Sequence, residues 1–278
     1  MKRMTALLLA GLMLLCPWIA AGAEREDMAV TEEIWLDGAL GKLYGMLTAP
    51  AGDGPVPLVI LSHGFGGNLM GNQPYADHFA AQGFAVFNFD FCGGGYGSRS
   101  DGTTRDMSVL TEAEDLNAVL DHFLVEGRFA PIFLWGSSQG GFVSSYVAAQ
   151  RPQDVQAMVL EFPAFVLQDD ARARAAEDGS FPETERVMTV PIGRVYSEDA
   201  VSFDIYDVIG AYTGDVLILH GDRDAIVPLS YSQRAAEVYA HAELIVMPGQ
   251  NHGFLGAARQ EAQEKEAAFF AAHCEGIE

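Results

Sequence analysis

Apolar positions along this chain fall into two alternating patterns, short continuous runs and longer stretches at helical spacing. The runs at 58–61, 84–89, 132–135, 155–160, 216–219 and 244–247 are apolar at nearly every position, as in strands buried on both faces. Among and beyond them, 73–82, 109–126, 142–150, 232–239 and 257–272 read as helices; in 109–126, Leu116, Val119, Leu120, Phe123 and Leu124 form one stripe with acids on the other. Thr111 with Glu114 reads as the capping box of that helix. Strands alternating with helices predict a mostly parallel sheet covered on both faces, an α/β architecture. Upstream, 31–36 and 41–48 have hairpin character around the turn-prone Asp37-Gly38, which predicts an antiparallel edge.

The rhythm breaks between Phe162 and Gly214. This charged stretch carries Pro163, Pro182 and Pro191 and is far longer than a usual connection of about two to six residues. It predicts a small helical lid, at about 163–213, inserted over the active face. The glycine-rich 92–102 is a loop that follows a strand end and is expected to wall a pocket.

Composition adds bounds. With 278 residues, 49% hydrophobic and 19% charged, the chain suits one large α/β domain. Residues 1–23 read as a secretory signal, with basic Lys2 and Arg3, an apolar core at 6–15 and the cleavage-like Ala21-Gly22-Ala23. The core is shorter than the ~20 residues a spanning helix needs. The expectation is a mature domain of residues 24–278, secreted or periplasmic and without stable membrane association. A net charge of -22 repels nucleic acid and anionic membranes, so neither is an expected partner. Beyond the signal, Cys92 and Cys274 read as two small apolar core residues, with a single disulfide between them as the alternative.

Candidate chemistry collects at strand ends. The run 132–135 meets Gly136-Ser137-Ser138-Gln139-Gly140 and then a helix. A serine at the tip of a tight strand-to-helix turn needs a strained backbone and no side chain two residues to either side, which Gly136 and Gly140 satisfy. Such a hydroxyl becomes nucleophilic only beside a base, an imidazole held in one tautomer by a carboxylate. Both partners are expected later, each past a strand. His220-Gly221-Asp222-Arg223-Asp224 follows 216–219, and Pro248-Gly249-Gln250-Asn251-His252 follows 244–247. Asp224 and His252 are the candidate acid and base, Asp222 is the rival acid, and His220 reads as a loop tie. The backbone N–H groups of Gln139 and of Phe65, in His63-Gly64-Phe65-Gly66-Gly67, are the candidate oxyanion donors. That loop lacks the lysine of a phosphate cradle, and no histidine has a second ligand at metal spacing, so neither cofactor nor metal is expected.

Together these residues resemble the α/β-hydrolase fold and, within it, the bacterial cinnamoyl and feruloyl esterases, a group similar in outline to the serine aminopeptidase-like hydrolases. The resemblance rests on Ser62-His63-Gly64-Phe65-Gly66-Gly67-Asn68, on Phe89-Asp90-Phe91, on 107–122, on Gly136-Ser137-Ser138-Gln139-Gly140-Gly141, on 220–228 and on Asn251-His252-Gly253-Phe254. It implies a Ser138, Asp224, His252 triad, oxyanion donors at Phe65 and Gln139, and a lid shaping an acyl or phenolic pocket. Ser137 stands where that group often has histidine, and Gly93-Gly94-Gly95-Tyr96-Gly97-Ser98 where it usually has a G-H-G-x-S loop. The implied activity is that of a secreted serine esterase on carboxylic esters, with hydroxycinnamate esters as a candidate class. Two alternatives remain open. One is a peptidase or amidase in which Asp169, Asp170, Glu177 and Asp178 clamp a substrate amine. The other is an inert scaffold acting as a binding module, although no member of the triad is missing.

Overall fold

The computed structural model describes residues 29–52 and 54–274; the proposed signal lies outside them. Strands β1 (Ala29–Gly38) and β2 (Gly41–Pro50) form the expected hairpin. Its turn falls at Ala39 and Leu40 rather than Asp37-Gly38, because the Ala39 N–H donates to Asp115 Oδ1 at 2.7 Å and Gly41 takes φ +129. There follow β3 (Val56–Ser62), α1 (Leu69–Ala81), β4 (Ala85–Asp90), α2 (Val109–Glu126), β5 (Phe129–Ser137), α3 (Gln139–Gln150) and β6 (Ala157–Glu161). After an insertion come β9 (Asp215–Gly221), α7 (Leu229–Val238), β10 (Ala242–Met247) and α8 (Ala257–Ala272). The eight strands run in the order β1-β2-β4-β3-β5-β6-β9-β10, antiparallel at β1-β2 and β2-β4 and parallel elsewhere.

Buried strands serve both faces, since successive side chains point to opposite sides. Leu58 and Ile60 of β3 join one apolar cluster with α2 and α3, while Val59 and Leu61 join another with α1 and α8. In that second cluster Phe270 of α8 lies against Phe79, Phe84 and Phe133, with centroids 5.6, 6.2 and 4.9 Å away. Cys92 belongs to the first cluster and Cys274 to the second, on opposite sides of the sheet, which precludes the disulfide.

Three local expectations are corrected. Helix α1 starts a turn earlier than 73, because the Asn68 side chain accepts from the Met70 N–H and caps it. The box on α2 is Ser108 with Thr111, each side chain accepting from the other's backbone N–H, and Glu114 takes no part. The acids of α2 are not all solvated: Glu112 and Asp115 are buried. The insertion, 162–214, is also more than helical. It holds α4 (Leu167–Arg174), a hairpin of β7 (Thr184–Val187) and β8 (Val190–Gly193), α5 (Arg194–Val201) and α6 (Ile205–Ile209). Pro191 masked β8 in the sequence, but a strand of a two-stranded ribbon needs no ladder donor on its open side.

Candidate active site

Strand β5 ends at Ser137 and α3 begins at Gln139, which leaves Ser138 on the turn with φ 52 and ψ -118. That left-handed conformation is unfavourable for a side-chain-bearing residue by about 1–3 kcal/mol, and the surroundings must enforce it. They do so by contact. A Cβ on Gly136 would lie 2.4 Å from the Gly140 carbonyl oxygen, and one on Gly140 would lie 2.2 Å from that of Ser62. Only glycine lets these three backbones close on one another.

The loop after β10 brings His252 to the same edge of the sheet. Its Nε2 lies 3.0 Å from Ser138 Oγ, and its Nδ1 lies 2.7 Å from Asp224 Oδ2. The carboxylate holds the ring proton on Nδ1, which leaves Nε2 as an acceptor facing the hydroxyl. The Phe162 ring packs on the imidazole at 4.6 Å. Asp224 is fixed in turn, its Oδ1 accepting from the Ile226 and Val227 N–H groups at 2.9 Å each. Burial alone would raise this carboxyl, but hydrogen bonds from His220, His252 and the Val227 amide outweigh it and hold the group well below the usual carboxylate range.

The rival residues have other partners. Asp222 Oδ1 accepts from the Gly249 N–H at 2.6 Å and ties the two loops together. His220 Nε2 faces two acceptors, the Val227 carbonyl at 2.9 Å and Asp224 Oδ2 at 3.3 Å, which assigns its proton to that nitrogen. Its Nδ1 then accepts from Ser232 Oγ at 2.7 Å, joining the acid's loop to α7.

Two peptide units flank the serine. The Gly64 carbonyl, in the unit that carries the Phe65 N–H, lies 2.8 Å from His63 Nδ1 and accepts from the Gly67 N–H at 3.1 Å. His63 Nε2 accepts from the Phe91 N–H at 3.1 Å, so its proton sits on Nδ1 and points at Gly64. The Ser138 carbonyl, in the unit that carries the Gln139 N–H, accepts from Gly141, Phe142 and Ala164 at 3.0, 3.2 and 2.9 Å. In a trans peptide the N–H points opposite to the carbonyl, so anchoring each oxygen aims each N–H the other way. The Gly64 backbone lies close to Ser138, and a Cβ on it would sit 3.2 Å from Ser138 Cβ.

The serine opens into a cavity of about 480 Å³. Phe65, Phe162, Val166, Leu167, Val187, Met188 and Ile226 give it apolar walls, with Asn72 and Asp170 among its polar members. Much of one wall comes from the insertion. Of the four acids considered as an amine clamp, Asp170 alone lines this cavity. Asp169 instead accepts from the Tyr231 hydroxyl, and Asp178 from Ser180.

Sequence reasoning missed Glu112 and Tyr196, which hold the Gln139 side chain at 2.8 Å each. Glu112 had left a signal, since it stands four residues before Leu116 and so on the apolar stripe of α2. Burial pushes its carboxyl up to about 8 against the opposing hydrogen bond from Gln139. Tyr196 left none, as its position in an irregular insertion carries no period.

A hydroxyl raised on a strained strand-to-helix turn, at the carboxyl edge of a mostly parallel sheet, is the layout of an α/β-hydrolase. Within that fold the chain belongs to the family described as serine aminopeptidase, S33, whose model matches residues 53–194, just over half its length. It is 29% identical over 220 residues to the monoacylglycerol lipase of Mycolicibacterium smegmatis, covering 73% of each chain. To the mitochondrial palmitoyl-protein thioesterase ABHD10 of Bos taurus it is 28% identical, covering 72% of this chain and 68% of that one. The structure of Est1E from Butyrivibrio proteoclasticus with ferulic acid bound matches with a TM-score of 0.80 at 24% identity, over 87% of this chain and 99% of that one.

Proposed function

We propose that this α/β serine hydrolase cleaves carboxylic esters with an apolar acyl group through an acyl-enzyme on Ser138. The observation that carries the reading is the continuous relay from hydroxyl to imidazole to carboxylate, 3.0 and then 2.7 Å, opening on a largely apolar cavity. In this mechanism Ser138 Oγ attacks the ester carbonyl carbon as its proton passes to His252 Nε2. Asp224 stabilises the imidazolium, and the Phe65 and Gln139 N–H groups receive the oxyanion. Collapse of the tetrahedral species breaks the ester C–O bond, and His252 returns its proton to the departing alkoxide. Water then attacks the acyl carbon, gives a proton to Nε2 and releases the carboxylic acid, restoring the Ser138 hydroxyl.

Relatives named for monoacylglycerol and palmitoyl-protein substrates support an ester or thioester of a lipid-like acid. Hydroxycinnamate esters are a narrower candidate, supported by the resemblance drawn from motifs and by the flat aromatic walls of Phe65 and Phe162. An amidase reading retains one feature, the Asp170 carboxylate in the wall. We also place the mature protein outside the cytoplasm, on the leader-like composition of 1–23.

One panel tests these readings: nitrophenyl esters of increasing acyl length, methyl ferulate and aminoacyl anilides, with wild type and Ser138→Ala. Esters turned over far faster than anilides, with all turnover lost in the variant, is the expected result. Anilides preferred over esters would favour the amidase, and turnover unchanged in Ser138→Ala would overturn the mechanism.

A further inference from the structure

The Gln139 side chain is held at both ends of its amide. Its Nε2 donates to Glu112 Oε2 of α2, and its Oε1 accepts from the Tyr196 hydroxyl of α5, each at 2.8 Å. All three side chains are buried. Tyr196 also lays its ring against that of Phe65, with centroids 5.3 Å apart. One residue of the insertion therefore touches both residues whose backbone N–H groups are read as oxyanion donors.

We infer that Tyr196 is a positioning residue for the oxyanion hole: its hydroxyl steadies Gln139 and its ring steadies Phe65, so the docked insertion sets the placement of both donors. This rests on the serine-hydrolase reading above. Gln139 follows the strained Ser138 directly, so rotation of its side chain is coupled to the 138–139 peptide that carries the donor. A buried amide left without partners is costly, and Gln139 keeps its place only while both of its bonds are made. The insertion is well seated to supply its half. Asp199 of α5 accepts from the Ser108 hydroxyl at the cap of α2, and Thr104 Oγ1 donates to the Pro191 carbonyl at 2.5 Å. Gly193, just before α5, meets the Arg105 carbonyl so closely that a Cβ would fall 2.0 Å from its oxygen. The helix bearing Tyr196, through Asp199, and the strand leading into it, through Pro191 and Gly193, are thus tied to the segment before α2 at three points.

Tyr196→Phe keeps the ring and deletes the hydroxyl. The expected result on a short-chain nitrophenyl ester is a kcat about 5- to 20-fold lower with KM held within about twofold, less than the 10²–10³ that follows loss of a whole donor. A trifluoromethyl ketone with the same acyl chain, which forms an oxyanion when Ser138 adds to it, loses affinity by a similar factor. The matching alkyl nitrophenyl ether, which fills the cavity without forming one, binds as before. In a Gln139→Met background, Tyr196→Phe costs less than about twofold, because the contact it removes is already gone. Unchanged kcat, or equal losses for ketone and ether, overturns the inference. Wild type that neither turns over esters nor reacts with a fluorophosphonate overturns the hydrolase reading itself, whereas an active wild type matched by Tyr196→Phe overturns only the role of Tyr196.

Discussion

At the scale of single residues, two aspartates stand two positions apart on one loop and meet different partners. Asp224 meets His252 at 2.7 Å, while Asp222 holds Gly249. Asp224→Asn therefore lowers kcat/KM on a nitrophenyl ester by roughly 10³–10⁴, because the amide no longer enforces the Nδ1–H tautomer of His252. Asp222→Asn keeps an acceptor for the Gly249 N–H and costs less than about threefold. Steady-state kinetics of the two variants check this, and equal losses would contradict it. The pair also shows what was legible beforehand. Strand ends followed by His, Asp and Gly marked both loops as chemical, since a buried apolar run has few other reasons to stop on such residues. Which carboxylate turns toward the imidazole depends on the turn made by Asp224 with the Ile226 and Val227 amides, and no periodicity encodes that turn.

At the scale of elements, β6 and α8 bring a pair of carboxyls together beneath the site. Glu161 accepts from the Tyr75 hydroxyl at 2.9 Å on both oxygens, and its backbone carbonyl holds the Ser138 N–H at 2.9 Å. Burial pushes Glu161 up to about 7, against the hydrogen bonds it accepts; burial and then the charge of Glu161 raise Glu266 well above the glutamate range. A carboxyl whose folded pKa is raised binds its proton better in the folded state. Its stabilising contribution is complete below the unfolded value near 4.5 and is lost as pH rises through about 7. Thermal midpoints accordingly fall between pH 5 and pH 8, and Glu266→Gln, which keeps a donor facing Glu161 at every pH, makes that decline shallower. An identical slope in the variant would remove the pair as its cause. Phe270→Ala on the same helix costs about 3–5 kcal/mol in denaturant melts, since the ring is wholly buried against Phe79, Phe84 and Phe133. Elements of this kind were readable from apolar runs and helical spacing. Their ends were less so: the Ser108 cap of α2 and the Asn68 cap of α1 precede the periodic stretch and carry no apolar signal.

At the scale of the whole molecule, loops at the sheet's carboxyl edge carry Ser138, Asp224 and His252, and the insertion supplies much of the cavity's lining. Val187 and Met188 of the β7-β8 hairpin, with Leu167 of α4, line the cavity into which the serine opens. Val187→Trp, at a half-buried position lining the cavity, shortens the space for the acyl group. Turnover of octanoate esters then falls at least tenfold while acetate esters change less than about threefold, measured as kcat/KM across the series. Equal losses on both would mean that the acyl group lies elsewhere. The length and charge of 162–214 announced an inserted unit over the active edge, but its ribbon was hidden by Pro191 and by strands of four residues, too short for alternation to register.

The proposed mechanism requires Ser138 Oγ to be an activated nucleophile. The decisive measurement treats the folded protein with a fluorophosphonate probe and locates the adduct by peptide mass spectrometry. One adduct per chain is expected, on Ser138, absent from Ser138→Ala and strongly slowed in His252→Ala. A wild-type protein that stays unlabelled, or one labelled on another residue, would contradict it.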